Sequence, residues 1–243
     1  MRIIAKLDVK PPYVVKPVHF EGWRKIDTPD KLAKKYYDEG ADEIFYIDIV
    51  ASLFQREILY KEFEQTSSKI FIPLAYGGGI RSIENMSKLF HSGADKVVIN
   101  SYAVQENPQI IFEASQIFGA QAVVVNIEAK RADNKWKCYS DSGRIPSSYE
   151  LLKWVETIQE NGAGEILIQS VDCDGRNRGF DVDLIKSVVE NTSVPVVASS
   201  GGWSEIHIEE LLSTVSPSGL AFASALHYKN LNISKIRSFI SGN

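Results

Sequence analysis

The sequence predicts an α/β fold, a (βα)8 TIM barrel, and three observations support this class. Short β-branched runs alternate with helix-length amphipathic stretches along the 243 residues, and eight such units are the number that a barrel needs. The runs are almost continuously apolar, which is typical of parallel strands buried on both faces. Segments of the first half also return about 120 residues later. That repeat favours a closed barrel of two halves over a doubly wound open sheet.

The expected elements follow from these patterns in chain order. Strands are expected at Ile3–Val9, Glu43–Ile49, Ile70–Ala75, Lys96–Asn100, Gln121–Glu128, Glu165–Val171, Val194–Ser199 and Gly219–Ser224. Helices are expected at Pro29–Glu39, Ile83–Ser92, Gln109–Phe118, Ser148–Asn161, Asp181–Glu190 and Ile206–Thr214. No GxGxxG motif follows the first strand, so a Rossmann dinucleotide-binding domain is not expected.

The internal repeat divides a single barrel domain into two (βα)4 halves, roughly residues 1–119 and 120–243. The segment GADEI at 40–44 returns as GAGEI at 162–166, and LDVK at 7–10 matches IEAK at 127–130. Two half-barrels of four units each explain these matches.

Charge and composition exclude several classes of protein. The 27 Lys and Arg residues are balanced by 31 Asp and Glu residues, so the basic surface typical of nucleic-acid or membrane binding is absent. No apolar run reaches the roughly 18 residues of a membrane span, and the N-terminus does not resemble a signal peptide. The two cysteines form no disulfide framework, and the histidines show no metal-ligand spacing. We therefore expect a cytoplasmic protein without a metal or other cofactor. The histidines, expected to be structural or surface groups, are His19, His91, His207 and His227.

Two carboxylates stand at strand ends in equivalent positions of the two halves. Asp8 ends the first expected strand and Glu128 ends the fifth, on opposite sides of the ring. Active sites of barrels lie at the carboxyl ends of the strands, and two facing carboxylates there suit general acid–base catalysis. Ion pairs with Lys10 and Lys130 are the structural alternative. Because the repeat aligns the two carboxylates, we interpret Asp8 and Glu128 as candidate catalytic residues.

Glycine clusters and helix starts in register predict two phosphate sites, one in each half. Glycine lets backbone N–H groups approach a phosphate, and a helix N-terminus favours an anion, although a single cluster is also typical of a turn. The first site is expected at Gly79, Asn100 and Ser101, and the second at Gly175, Ser200, Gly201, Ala223 and Ser224. Asp174 is expected to position the substrate, which is a long molecule with two phosphates.

Four charged residues begin strands at the opposite, N-terminal face of the barrel. Period-two counting turns Arg2 and Lys6 inward together with Asp8. Two cations and two anions at this face could form a ring of salt bridges, either as a stabilising plug or as a gate. The four residues are Arg2, Glu43, Lys96 and Glu165.

Eight segments resemble the cyclase subunit of imidazole glycerol phosphate synthase, the HisF family, over essentially the whole chain. They read RIIAKLDVK, VVKPVHFEGWRK, GADEIFYIDIVAS, GGGIRS, GADKVVIN, VVVNIEAKR, GAGEILIQSVDCDG and PVVASSGG.

The resemblance implies a (βα)8 barrel with a glutaminase subunit docked on its N-terminal face. Ammonia from that partner would pass the charged gate and react with a bis-phosphorylated ribulosyl aminoimidazole carboxamide nucleotide. The products would be imidazole glycerol phosphate and aminoimidazole carboxamide ribotide. The resemblance assigns the acid–base pair to Asp8 and Glu128, and a role in a mobile active-site loop to Lys16.

The chain departs from the family pattern at five places. Glu128 replaces an aspartate, Gln169 a threonine and Ser200 a glycine. Lys6 stands where a small residue, usually cysteine, is typical. The loop after the first strand reads Pro11–Tyr13 instead of Asp-Gly-Arg, which should stiffen it.

These departures resemble a side branch in which the barrel and its glutaminase supply ammonia to a sugar amidotransferase that makes acetamidino sugars for surface polysaccharides. The cyclase and this alternative both stay open. The sister isomerase of the same pathway is a third alternative, but the FYIDIVAS segment and the floor residues fit the cyclase better. A catalytically silent docking barrel is a fourth, and the two phosphate sites argue against it.

Overall fold

The computed structural model of the protein describes residues 1–18, 21–133 and 135–241, with side chains for all of these except 17, 18 and 21–23. His19, one of the histidines expected to be structural, lies outside the described residues. The strands are β1 (Arg2–Lys10), β2 (Tyr13–Val18), β3 (Glu21–Asp27), β4 (Glu43–Asp48), β5 (Leu74–Gly77), β6 (Lys96–Ile99), β7 (Val123–Ala132), β8 (Lys135–Ser140), β9 (Ile145–Glu150), β10 (Glu165–Ser170), β11 (Val196–Ser199) and β12 (Gly219–Phe222).

Eight parallel strands close into a barrel, which confirms the predicted fold class. They follow one another around the ring in the order β1, β4, β5, β6, β7, β10, β11 and β12, and β12 pairs with β1 to close it. Every residue of β5, β10, β11 and β12 is buried, as expected for strands covered on both faces. In this ring β7 lies opposite β1, so the strands that carry Glu128 and Asp8 face each other.

Helices cover the outside of the barrel and alternate with its strands. Their amphipathic sequences bury one face, as in the helix that begins after Asp181, where Leu184, Ile185 and Val188 are buried and the Asp181 carboxylate accepts a hydrogen bond from Leu184 N at 3.1 Å. The helices are α1 (Pro29–Asp38), α2 (Tyr60–Ser67), α3 (Ile83–His91), α4 (Ser101–Gln105), α5 (Gln109–Phe118), α6 (Leu151–Glu160), α7 (Val182–Val189), α8 (Glu205–Leu212), α9 (Ser224–His227) and α10 (Ile233–Ser241), with a 3-10 turn at Ala120–Ala122. Among the described residues, none of these helices is long and apolar enough to cross a bilayer.

Each half-barrel carries a β-hairpin that the sequence analysis did not predict. β2 and β3 continue antiparallel from β1, and β8 and β9 continue antiparallel from β7. The expectation that Lys16 lies in a loop is therefore wrong, because Lys16 lies in β2. The two hairpins rise from the strands that carry Asp8 and Glu128, so they stand beside the mouth of the barrel.

The third barrel strand lies further along the chain than the sequence indicated. The apolar run Ile70–Ala75 suggested a strand, but β5 begins at Leu74, and Phe71 before it is 84% exposed. Pro73 lacks a backbone N–H and so cannot donate to a strand ladder. The smaller shift in the seventh strand, which begins at Val196 after Pro195, has the same cause.

The barrel interior contains one apolar layer, to which each barrel strand contributes one buried side chain. This apolar layer separates the N-terminal floor of the barrel from its mouth. Its members are Ile4, Phe45, Ala75, Val98, Val124, Leu167, Val197 and Ala221. A second, larger core fills the space between the strands and the helices.

Candidate active site

Asp8 lies at the mouth of the barrel between two lysine ammonium groups. The side chains of Lys6 and Asp8 both point inward because they are two residues apart on β1. Lys6 Nζ is 3.2 Å from one carboxylate oxygen of Asp8, and Lys16 Nζ is 3.1 Å from the other. Burial alone would raise the pKa of this carboxyl group, but the two ammonium groups hold the pKa of Asp8 well below its usual range. Asp8 is therefore ionised at neutral pH.

Lys16 reaches Asp8 from the hairpin and is itself almost fully buried. Its Nζ also lies 3.3 Å from Asp174, so one ammonium group joins two carboxylates. Burial opposes the charged form of Lys16, but Asp174 and Asp8 raise its pKa above the usual range. The structural alternative expected ion pairs with Lys10 and Lys130, whereas the lysines that contact Asp8 are Lys6 and Lys16.

Glu128 has a different environment, with hydrogen-bond donors but no cation. One carboxylate oxygen accepts a hydrogen bond from Gly143 N at 2.7 Å, and the other lies 3.5 Å from the Asn126 amide nitrogen. In the described part of the chain, no lysine or arginine nitrogen lies within 4 Å of this carboxylate. Burial raises the pKa of Glu128 to about 7, and the Gly143 hydrogen bond offsets only part of that effect.

A chain of polar side chains connects the two carboxylates across the barrel. Lys6 donates to the amide oxygen of Gln169, whose amide nitrogen donates to Asn126 at 2.8 Å. Asn126 in turn reaches Glu128. This polar chain, which runs from Asp8 through Lys6, Gln169 and Asn126 to Glu128, lies directly above the apolar layer. Lys6 points inward as predicted, and the ion pair with Asp8 and the hydrogen bond to Gln169 supply the partners that a buried ammonium group requires.

The first cleft contains the residues expected to form the first phosphate site. It opens to solvent, its empty space including the open mouth is about 1090 Å³, and it is lined by Gly79, Asn100 and Ser101 together with Asp8 and Glu128. The Ser101 hydroxyl donates to the Asp141 carboxylate at 3.1 Å and accepts from Asp141 N at 3.2 Å. A carboxylate from the β8–β9 turn thus contacts the hydroxyl group that is expected to bind an anion.

The second cleft adjoins the first and contains the other predicted set. Its empty space, open solvent included, is about 340 Å³. Lys6, Lys16 and Asp174 line it too, so two cations and one carboxylate belong to its lining. The predicted residues that line it are Gly175, Ser200, Gly201, Ala223 and Ser224. The structure therefore brings each predicted set together, and the two clefts share Lys6, Asp174 and Ser200.

Four ion pairs form a charged ring at the N-terminal floor of the barrel. Arg2 pairs with Glu43 at 2.6 Å and also with Glu165. Lys96 pairs with Glu43 at 2.7 Å and with Glu165 at 3.0 Å. This charged ring (Arg2, Glu43, Lys96, Glu165) has no net formal charge, and each member stands two residues before a residue of the apolar layer. The geometry fits both a plug and a gate, so the role of the ring stays a prediction.

Comparisons with known proteins place the chain in a family. A family model described as histidine biosynthesis protein matches residues 2–232. The imidazole glycerol phosphate synthase subunit HisF of Pyrococcus furiosus is 40% identical over 242 residues, which cover 100% of this chain and 96% of that protein. The HisF subunit of Bacillus cereus strain AH187 is 41% identical over 97% of this chain and 94% of its own length. The HisF subunit of Legionella pneumophila is 44% identical over 83% of this chain and 95% of its own length.

The chain belongs to the HisF family. The family that the resemblance implied is thus confirmed, and the relatives named above are subunits of imidazole glycerol phosphate synthase, a lyase-class enzyme. The lining of the two clefts by the expected residues agrees with membership of this family. Three of the five residues or segments that depart from the HisF family pattern belong to the polar chain. They are Lys6, Gln169 and Glu128.

Sequence reasoning missed three residues of the HisF-type first cleft. Asp48 accepts hydrogen bonds from Val50 N at 3.1 Å and Ala51 N at 3.0 Å, and it pairs with Arg56. A carboxylate at the end of the predicted strand Glu43–Ile49 was the available signal. Asp141 and Gly143 lie in the β8–β9 turn, where residues 141–143 all have positive φ. The Asp-Ser-Gly sequence predicts a turn, but it does not indicate which barrel strand this turn lies over.

The described residues contain no group of three or more His, Cys, Asp or Glu side chains arranged to hold a metal ion. Three of the histidines expected to be structural or surface groups make internal hydrogen bonds, and one of them, His91 on α3, lies 2.7 Å from the carbonyl oxygen of Ser87. His227 is buried against the Tyr36 hydroxyl at 2.7 Å, and His207 lies 3.3 Å from Trp203 N. None of the three histidines contacts the carboxylates of the polar chain.

Proposed function

We propose that this HisF-family chain uses ammonia from a glutaminase partner to convert a bis-phosphorylated ribulosyl aminoimidazole carboxamide nucleotide into imidazole glycerol phosphate and aminoimidazole carboxamide ribotide. One observation carries the proposal: Asp8 and Glu128, whose pKa values are shifted in opposite directions, line the first cleft, and the second cleft, lined by the other candidate anion-binding residues, adjoins it. A long substrate with a phosphate at each end would place its centre against Asp8 and Glu128.

The electrostatics suggest different roles for the two carboxylates. A group whose pKa lies near the working pH is the more effective general acid–base catalyst, so Glu128, with a pKa of about 7, would take up and release the proton. Asp8 stays ionised between Lys6 and Lys16 and would accept hydrogen bonds from the nitrogen that enters the reaction. Asp174, held by Lys16, would orient the substrate between the clefts.

The direct test is a turnover assay with the bis-phosphorylated nucleotide and an ammonium salt, which replaces the glutaminase. We expect imidazole glycerol phosphate to form, and we expect the rate to fall at least about 100-fold in Glu128→Gln, the usual contribution of a general acid–base group. An exposed glutamate, Glu156 on α6, provides the matched control, and Glu156→Gln should keep the full rate. Absence of product from the unmodified protein would contradict the proposal.

The partner is proposed to dock on the N-terminal floor, where the charged ring would admit ammonia. Lys96 lies in this ring and contacts both glutamates. In the assembled complex, Lys96→Ala should reduce the ratio of product formed to glutamine hydrolysed while leaving the fold intact. Lys88→Ala on the outer helix α3 is the control, because Lys88 is exposed and pairs with the exposed Glu84, away from the charged ring. An unchanged ratio in Lys96→Ala would indicate that the ring is a plug.

A second candidate function is favoured by Lys6. Its ammonium group spans from Asp8 to Gln169 directly above the apolar layer, on the route that ammonia would take from the floor. This placement suits a barrel that supplies ammonia to a sugar amidotransferase for acetamidino sugars of surface glycans rather than one that cyclises the nucleotide itself. The double variant Lys6→Cys with Glu128→Asp should then gain cyclase turnover, whereas full turnover by the unmodified protein would refute this candidate. A cytoplasmic location belongs to both candidates and stays a prediction.

A further inference from the structure

The turn between β8 and β9 holds three successive residues in the left-handed region. Asp141, Ser142 and Gly143 have φ values of 51°, 60° and 72°, and Arg144 N donates to Ser140 O at 3.0 Å to close the turn. Left-handed conformations are unfavourable for residues other than glycine, although aspartate tolerates them better than most. Such a backbone persists only where contacts with its surroundings hold it, so residues outside the turn must fix this one.

Helix α4 makes two sets of contacts with this turn. The Ser101 hydroxyl donates to one carboxylate oxygen of Asp141 at 3.1 Å and accepts from Asp141 N at 3.2 Å. One turn further along the helix, the Gln105 amide nitrogen donates to the Ser140 hydroxyl at 3.0 Å. A single hydroxyl group therefore fixes both the carboxylate and the backbone of Asp141, which is the first of the three left-handed residues.

The other end of the turn contacts Glu128. Gly143 N donates to one carboxylate oxygen at 2.7 Å, which is much shorter than the 3.5 Å between the other oxygen and the Asn126 amide nitrogen. A Cβ on Gly143 would lie 2.6 Å from a methyl group of Val171, so the backbone of the turn packs directly against the residue that follows β10. The turn therefore brings a backbone donor to the carboxylate, and its shape decides whether that donor is in place.

Several groups oppose one another at the Glu128 carboxylate. Burial raises the pKa of this group, and hydrogen bonds from Gly143 N and the Asn100 side chain lower it. Of the charged groups, Lys6 on β1 lowers this pKa and Asp141 raises it. Asp141 thus has two opposite effects, because its charge disfavours the ionised form of Glu128 while its contact with α4 holds the N–H that favours this form.

We propose that Asp141 is a positioning residue, which acts through Gly143 N on the Glu128 carboxylate. Its contact with Ser101 holds the turn in the left-handed conformation that brings the N–H to the carboxylate. The inference rests on the proposed function, in which Glu128 takes up and releases the proton. Without the contact the turn relaxes, the N–H leaves the carboxylate, and the acid–base group loses the donor that orients it and favours its ionised form.

Two substitutions of Asp141 separate its contact from its charge. Asp141→Asn loses the charge but keeps an oxygen that accepts from Ser101, whereas Asp141→Ala loses both. Carbon-13 NMR titration of labelled Glu128 should give a midpoint about 1 to 2 pH units higher in Asp141→Ala than in Asp141→Asn, the shift that corresponds to one hydrogen bond to a charged group. The Gly143 amide proton should titrate with Glu128 in the unmodified protein and in Asp141→Asn, but not in Asp141→Ala.

Ser101→Ala tests the same contact from the helix. This variant keeps the Asp141 charge and removes the hydroxyl that holds it, so the Glu128 midpoint should rise above its value of about 7. Adding Ser101→Ala to both Asp141 variants should abolish the difference between them, because the contact that distinguishes alanine from asparagine is then absent.

Asp133 provides the matched control. It is an exposed aspartate with a positive φ, of 46°, in the turn between β7 and β8. Asp133→Ala therefore makes the same loss of charge and the same change in backbone preference as Asp141→Ala, and it should leave the Glu128 midpoint unchanged.

The outcomes are decisive in both directions. A higher midpoint in Asp141→Ala than in Asp141→Asn, lost when the Ser101 hydroxyl is removed, supports the inference. Equal midpoints in the two Asp141 variants, or a difference that persists without the Ser101 hydroxyl, overturn it. Failure of the unmodified protein to turn over the nucleotide would refute the proposed function, but the titration needs no substrate and would still decide the role of Asp141.

Discussion

The two halves of the barrel place a carboxylate at the same repeat position, and they differ two residues earlier. In the first half Lys6 precedes Asp8, and in the second half Asn126 precedes Glu128. The ammonium groups of Lys6 and Lys16 hold Asp8 ionised, whereas Glu128 has the neutral Asn126 amide and Gly143 N beside it, and burial raises its pKa to about 7. The same carboxylate position is thus an ionised group in one half and a group that titrates near neutral pH in the other.

The largest expected effect comes from making the same chemical change in both halves. Asp8→Asn removes the anion that Lys6 and Lys16 share, and breaking such a buried pair destabilises a protein by about 3–5 kcal/mol. Glu128→Gln removes a charge that burial disfavours, so at pH 8 we expect a protein that is more stable by about 1–3 kcal/mol. Both variants should lose catalytic rate. Chemical denaturation at pH 8 tests the comparison, and destabilisation of equal size in the two variants would contradict it.

A second expectation concerns exchange of the two differing residues. The double variant Lys6→Asn with Asn126→Lys keeps the total charge but moves the cation next to Glu128. The pKa of Glu128 should then fall from about 7 towards the usual carboxyl range of about 4 to 5, since an adjacent ammonium group favours the ionised form. Carbon-13 NMR titration of labelled Glu side chains measures this directly. A midpoint that stays near 7 would mean that Lys6 does not control the difference between the halves.

A third expectation is the pH dependence of stability that follows from Glu128. Its folded pKa of about 7 exceeds the unfolded value of about 4.3, so the folded state binds the extra proton between these values. The stabilisation from this proton is complete below about pH 4 and is lost as the pH rises through 7. Glu128→Gln should therefore exceed the unmodified protein in stability at pH 8 and approach it at pH 5. A difference in melting temperature that does not change with pH would refute this assignment.

The smallest expected effect concerns the two clefts. Lys16 lines the second cleft and Lys6 lines both, whereas Asp141 contacts Ser101 in the first cleft. Asp141→Asn removes a negative charge from the first cleft, so phosphate affinity there should rise about 3- to 10-fold at low salt and less at high salt. Asp133→Asn, in the exposed turn at the far end of the same hairpin, is the control. Loss of phosphate affinity in Asp141→Asn would show that Asp141 supports the site.

The sequence predicted the barrel and the residues around the clefts because both follow from apolar runs, glycine clusters and an internal repeat. Apolar runs and the 120-residue repeat place Asp8 opposite Glu128, and strand parity turns Lys6 inward. The hairpins were missed although β8 alternates polar and apolar residues, a pattern typical of a half-buried strand, because the alternation of barrel strands with helices left no place for an extra strand. The contacts of Asp141 with Ser101 and of Gly143 with Glu128 join residues 40 and 15 positions apart through a turn. Such contacts depend on how a turn folds over the mouth, and no local pattern encodes them.

The apolar layer has a consequence for proton movement. A proton crosses a protein along an unbroken file of donors and acceptors, and the eight side chains of this layer carry neither. The charged ring below this layer and the polar chain above it therefore do not exchange protons through the side chains of the layer. Glu128 can exchange its proton only with solvent or ligand at the open mouth, so covering the floor should leave the protonation equilibrium of the mouth unchanged.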